Sequence, residues 1–376
     1  MGGSNTEVIG DNAITPRSTA VRGWVRTLFS YALGVGCLVW VFHNYDFSDL
    51  LRRVAAMKPY WLLAAVLCDV LSYVCQGLRW RFLLRPFASI SVMRSTQAIY
   101  AGLFVNEMLP MKLGELVRAF LVSRWTSIKL SSIGASILVE RLCDGVWLAT
   151  GIALTILLVP LPRHMVEAGD VFWVGVLVVL SLVALLAFKG RGDLPNDDAP
   201  IESGVYAGPG VQTADASAGF RSFNSWRRLS HTLVTFVHRL SLELHVIGWS
   251  RGMLLAFALS LAMLLLQGAS LWLVMLAYGL REPFAVGIAV FLIVHLGTAL
   301  PSAPANIGTY QFFTVLGLTL LGVDKTSAAG FSLVVFAVLS APLWALGFWA
   351  FAHSGLTLVG MRTELNKPLP ALKTNV

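Results

Sequence analysis

Long unbroken apolar runs separated by short polar stretches dominate this chain. The runs at residues 254–276 and 327–351 are apolar around the whole helical circumference. Each is longer than the ~20 residues that carry a helix across a hydrocarbon core of ~30 Å. Barrel strands would alternate over ~10-residue segments, and these runs do not. Six segments read as full spans: residues 27–42, 60–84, 131–158, 171–188, 252–278 and 327–351.

Two further apolar stretches are interrupted by proline and glycine. Residues 95–109 lead to Pro110 and then to a helix over residues 114–124 that carries Glu115 and Arg118. At ~1.5 Å per residue that second arm is too short to cross, so it is read as the return arm of a re-entrant hairpin broken at its tip. Residues 283–300 reach the tip Pro301-Ser302-Ala303-Pro304-Ala305-Asn306-Ile307-Gly308 and return through residues 309–322. These arms are longer and uncharged, and a pair of true spans stays open there.

An internal repeat accompanies the hairpins. Gln76-Gly77 lies 33 residues before Leu109-Pro110, and Gln267-Gly268 lies 33 residues before Leu300-Pro301. Beyond the tips, Pro110 and Gly114 match Pro304 and Gly308 in spacing. The helix with Gln76 is predicted to run opposite in sense to the helix with Gln267, which makes the repeat inverted. Inverted repeats with broken helices meeting near the midplane characterise many secondary transporters and point to a site at the repeat interface. The predicted fold is therefore an all-α polytopic membrane protein with about six full spans and two proline-tipped hairpins.

Basic residues in short loops stay on the cytoplasmic side. With the amino terminus inside, that side receives Arg17, Arg22, Arg26, Arg79, Arg81, Arg85, Arg94, Arg124, Lys129 and those between residues 189 and 251, whereas the outside receives only Arg52, Arg53, Lys58, Arg163, Arg281 and Lys325. Both termini are thus expected in the cytoplasm of a cell membrane. The first run follows three arginines without a small-residue cleavage site, as a retained signal anchor does. The chain divides into a tail (1–26), a first membrane half (27–188, tip near 106–114), a cytoplasmic segment (189–250), a second membrane half (251–353, tip near 300–308) and a tail (354–376). Within the cytoplasmic segment, residues 190–219 read as a disordered linker. Phe223, Trp226, Leu229, Leu233 and Phe236 then mark one face of an amphipathic helix, lying either on the inner leaflet or on its own membrane domain.

Composition agrees: 56% of residues are apolar and 13% charged, against about 25% charged in soluble domains. A net charge of +8 is assigned to lipid-facing loops, not to nucleic acid. Cys37, Cys68, Cys75 and Cys143 all sit in apolar stretches without metal-ligand spacing, so neither disulfides, zinc nor another cofactor is expected.

Charged residues inside membrane segments are costly and mark function by default. They gather in the first half. Lys112, Glu115 and Arg118 lie at and beyond the first tip, and Glu140, Arg141 and Asp144 lie on the next span. Glu140 and Asp144 share a helix face, with Arg141 turned away, and Glu115 can pair with Arg118 across one turn. Two readings stay open: a buried ion-pair network that staples helices together, or a head-group site in which arginine forks hold phosphate. Lys112 has no acid in its own turn, and the helix beginning near Gly114 favours an anion at the tip. Asp69 is either a proton or cation site or the partner of Arg79 or Arg141. Asn106 caps or binds at the tip, Gln76 and Gln267 bond between helices, and His295 is read as a satisfied interior histidine. Glu140 and Asp144 also admit an acid and base pair, although no nucleophile or metal site accompanies them.

These residues resemble the lysyl-phosphatidylglycerol synthase transmembrane family of flippase-like integral membrane proteins. The resemblance rests on Arg79-Trp80 with Leu83-Leu84, on the stretch from Asn106-Glu107 through Pro110, Lys112, Gly114, Glu115 and Arg118 to Ala119, on Glu140-Arg141-Leu142-Cys143-Asp144, and on Pro301 to Thr309. It covers roughly residues 47–351. It departs from the family at Lys112, where arginine is usual, and at Gln311, where glutamate is frequent. Lysine keeps the cation but loses the fork. The chain ends about 25 residues after its last span, so a member without the soluble synthase half is expected. The resemblance implies lipid translocation, with membrane lipids as partners, or a partnership with a glycosyltransferase or lipid synthase in envelope assembly.

Overall fold

The computed structural model describes residues 17–43, 45, 47–109, 113–128, 130–158, 173–175, 177–178, 181, 250–299 and 303–355. The expected linker and amphipathic helix, most of the span at 171–188, and Pro110, Lys112 and Pro301 lie outside the described residues. All described elements are helical. In chain order they are α1 (Arg17–Phe42), α2 (Phe47–Ala55), α3 (Pro59–Leu84), α4 (Val92–Met108), α5 (Gly114–Thr126), α6 (Leu130–Leu158), α7 (Arg251–Tyr278), α8 (Phe284–Gly297), a single 3₁₀ turn (Pro304–Asn306), α9 (Thr309–Leu320) and α10 (Lys325–Ala352).

Among the described residues, α3, α7 and α10 are long and apolar enough to cross a membrane. α1 already begins at Arg17, inside the stretch read as a tail. Ser91, Ser250 and Asp324 start α4, α7 and α10 by accepting a backbone N–H three residues on, which satisfies one of the orphan donors of a helix start.

α3 is arranged inside out. Leu63, Leu67 and Leu71 are exposed on its outer face, whereas Ala65, Asp69, Ser72, Gln76 and Arg79 are buried on the inner one. That pattern suits a lipid solvent, in which apolar side chains gain nothing by turning inward and helices associate through close packing and polar contacts. α3 lies antiparallel on α7: Ser270 Oγ donates to the Ala65 carbonyl (2.8 Å), and towards the other end Arg79 reaches Ser260. The glycines of the two Gln-Gly pairs face matching neighbours, Gly77 against Thr96 on α4 and Gly268 against Ile288 on α8.

α4 with α5 and α8 with α9 form two antiparallel helical hairpins. In the first, a Cβ on Gly102 would stand 2.6 Å from the Gly114 carbonyl oxygen, so the arms touch backbone to backbone. α4 packs on α10, α8 packs on α6, and the 3₁₀ tip of the second hairpin rests on α4. The arms α8 and α9 are 14 and 12 residues long, about 21 and 18 Å at the helical rise. Each therefore falls short of a ~30 Å core.

Candidate functional site

The charges of the first half converge between α3, α5, α6 and α7. Glu140 on α6 sits at the centre and is fully buried. Its Oε1 accepts from Arg79 Nη2 and from Gln76 Nε2 (3.2 Å), both on α3. Its Oε2 faces Arg118 Nη2 on α5 at 2.9 Å. Arg79, equally buried, forks onward to Asp144 one turn along α6 and donates to Ser260 Oγ on α7 at 2.6 Å. The Arg118 guanidinium lies over the Trp80 ring at 4.9 Å, and Trp80 is pinned by its indole N–H to Ser136 Oγ (3.1 Å). One carboxylate thus ties three side chains, from α3 and α5, to α6 in a sealed knot.

A second pair borders the knot and is open. Arg141 meets Glu115 at 3.0 Å and Asp144 at 3.8 Å, and the Arg141 and Glu115 side chains are 48% and 45% exposed. Three arginines face three carboxylates across knot and rim, so the six groups are neutral as a set.

Several pairings differ from those that helical periodicity predicts. Glu115 and Arg118 do not pair across their shared turn; they diverge to Arg141 and Glu140 on α6. Arg141 is not turned away from its acids, because its long side chain reaches back to Asp144 at i+3. Arg79, read as a basic residue at a cytoplasmic helix end, is a buried centre of the network. The signal for it lies in the buried series Ala65, Asp69, Ser72, Gln76, Arg79 and Leu83, whose alternating steps of four and three put them on one helix face. Asp69 pairs with neither Arg79 nor Arg141; it lies ten positions before Arg79, about 15 Å along the axis.

At the first tip, Asn106 Oδ1 accepts from Gly114 N (2.6 Å), the capping role of its two readings. The second tip is closed the same way: Gln311 Oε1 accepts from Gly308 N at 2.7 Å, with Gly308 at φ +90°. Pro304 opens the 3₁₀ turn, and Ala305 and Asn306 follow in the left-handed region at φ +56° and +53°. Such a conformation costs a non-glycine residue about 1–2 kcal/mol and persists only where the surroundings hold it. His295, read as an interior histidine, is exposed instead and packs its ring on Phe291, and Gln267 is half-buried on α7. The four cysteines are free. No cluster with metal-binding composition occurs among the described residues.

A family profile described as lysylphosphatidylglycerol synthase TM region matches residues 27–347. The chain is also similar to "Glycosyltransferase AglD" of Haloferax volcanii, with 26% identity over 351 residues. That match takes in 87% of this chain and 53% of the relative, so this chain spans about half of that protein's length.

Proposed function

The chain belongs to the lysylphosphatidylglycerol synthase TM region family, and on that premise we propose that it is a flippase-like transporter. It moves a phospholipid or polyprenyl-phosphate-linked lipid between leaflets in envelope lipid and glycan assembly. Its place is the cell membrane, crossed several times, with both termini cytoplasmic.

The observation that carries the reading is the contrast within the charge cluster. Removing one partner of a buried pair costs about 3–5 kcal/mol, so Arg79, Glu140 and Arg118 are committed to one another. A half-exposed pair such as Arg141 with Glu115 contributes at most about 1 kcal/mol and exchanges easily. Arg141 can trade a carboxylate for a lipid phosphate, with Lys112 at the adjoining tip as the second cation and Glu115 and Asp144 as returning counter-charges. Arg118 and Glu140 then act by holding α5 in place, and Asn106 by shaping the tip beside them.

The packing supports an inverted repeat. The contact of α4 with α10 has its counterpart in that of α8 with α6, α3 and α7 pair antiparallel, and each hairpin packs beside the helix with its Gln-Gly pair. Short hairpin arms meeting a bundle from opposite sides give a midplane cavity that alternately faces each leaflet.

A second reading is favoured by the relative's name: the chain serves a glycosyltransferase that uses lipid-linked sugars, as its membrane partner. A lipid-modifying enzyme with Glu140 and Asp144 as acid and base is disfavoured, because Arg79 bonds to both carboxylates.

Reconstitution into liposomes with fluorescent phospholipids and polyprenyl-phosphate lipids tests the reading. Leaflet exchange by the wild type and its loss in Arg141→Ala support transport. Exchange of none of these lipids by protein verified as folded and inserted overturns it in favour of the partner role.

A further inference from the structure

A second polar group lies apart from the charge knot, midway along α3. Asp69 is 4% exposed, and its Oδ2 has no hydrogen-bond partner. Across from it on α4, Tyr100 is 6% exposed and its phenol oxygen likewise has none. Its ring packs against Tyr73 with centroids 5.4 Å apart. Asp69 is within electrostatic reach of the hydroxyls of Tyr73, Tyr100 and Tyr310, the last on α9, and Glu107 is within reach of Tyr73 and Tyr310. Cys68 is its chain neighbour. From the other helices packed on α3, the charged side chains of α6 are engaged in the knot, and α7 and α10 carry titratable groups only at their ends, Arg251, Tyr278 and Lys325.

A carboxylate in this position has lost its water without gaining a cation among the described residues. Burying such a charge is prohibitive, and a group so placed neutralises by taking up a proton. A neutral carboxyl supplies the donor that its surroundings lack and leaves oxygens for phenol hydroxyls. The occupant is therefore as small as a proton.

We propose that Asp69 is a proton-binding site of the closed core, with the unpartnered Tyr100 phenol as the group its neutral carboxyl engages once protonated and Tyr73 and Tyr310 completing the wall. The second hairpin's 3₁₀ tip rests on α4, and α9 follows it directly. Separation of that hairpin from α4 would take Tyr310 away, admit water and release the proton, so occupancy is linked to closure. This goes beyond the lipid reading and does not depend on it.

The test is infrared difference spectroscopy on the purified full-length protein in detergent at about pH 7, where an ordinary aspartic acid (about 3.9) is ionised roughly a thousand to one. The wild type should show a protonated-carboxyl band that is lost in Asp69→Asn. In Tyr100→Phe, which removes only the phenol oxygen, the band should move to higher frequency. A wild-type spectrum without that band, as would follow if Lys112 or another basic group held Asp69 ionised, overturns the proposal. So does a band that added Na⁺ abolishes at constant pH, which would identify a metal cation as the occupant.

Discussion

Arg79 and Glu140 form an ion pair in which neither side chain is exposed at all, across the contact between α3 and α6. Glu140 also holds Arg118, and Arg79 also holds Asp144 and Ser260. The pair is the joint through which the first hairpin's return arm, the α3 axis and α6 share one geometry.

Breaking the joint from either side strands a charge in a low-dielectric interior. Arg79→Ala and Glu140→Ala should each lower stability by about 3–5 kcal/mol, read as loss of monodisperse protein or a large fall in melting temperature in detergent. The double variant should be destabilised by less than the sum, with a coupling of about 0.5–3 kcal/mol. Additive effects would show that the two residues do not act through each other.

Much of the architecture is legible in the sequence because lipid makes its demands locally. Length and apolarity identify α3, α7 and α10. Among the described residues, Gly114 begins one return arm and Gly308 caps the other where expected. The partners within the charge cluster are not legible. Which acid meets which arginine depends on the contact of α5 with α6 and of α3 with both, and helical periodicity fixes only neighbours on one helix. Arg118 thus reads as the mate of Glu115 at i,i+3, although its side chain crosses to Glu140 and stacks on Trp80. Asp69 reads either as a proton or cation site or as the partner of Arg79 or Arg141, because the sequence cannot show that both arginines are already taken.

Arg118 and Arg141 should separate structure from transport. Arg118→Ala removes a buried pair and a stacked guanidinium, and its cost should approach that of Arg79→Ala. Arg118→Lys should recover only part, since lysine lacks the fork. Arg141→Ala loses a half-exposed pair and should change stability by no more than about 1 kcal/mol. Its leaflet exchange should nevertheless fall at least tenfold, about 1.4 kcal/mol on the barrier. Equal exchange by wild type and Arg141→Ala would remove Arg141 from the site.

The first hairpin depends on the crossing of Gly102 and Gly114. A methyl group on Gly102 would meet the Gly114 carbonyl at 2.6 Å and the Arg118 Cβ at 3.3 Å. Backbone cannot swing aside as a side chain does, so Gly102→Ala should cost about 1–3 kcal/mol and also loosen Arg118 from Glu140. Gly36 on α1 has no heavy atom within 4 Å of its added Cβ. Gly36→Ala should be neutral or stabilising by up to about 1 kcal/mol. Parallel melting curves decide it, and similar losses in both variants would argue against a specific crossing.

The second tip depends on Gln311. Its Oε1 accepts from Gly308 N at 2.7 Å in a side chain only 2% exposed, so the amide does the capping that a glutamate oxygen would do equally well. Gln311→Ala opens this bond and should cost about 1 kcal/mol, the usual worth of a helix cap, with added loss from the cavity it leaves. Gln311→Glu keeps the acceptor and places negative charge at the positive end of α9, a gain of roughly 0.3–1 kcal/mol against the cost of burying a carboxylate. Protonation removes that cost along with the charge, so the stability of Gln311→Glu relative to wild type should fall as pH rises through the titration of the new carboxyl. A melting-temperature deficit of Gln311→Glu that shrinks on acidification identifies burial as the dominant effect. A deficit that shrinks on alkalinisation instead assigns dominance to the charge at the helix end.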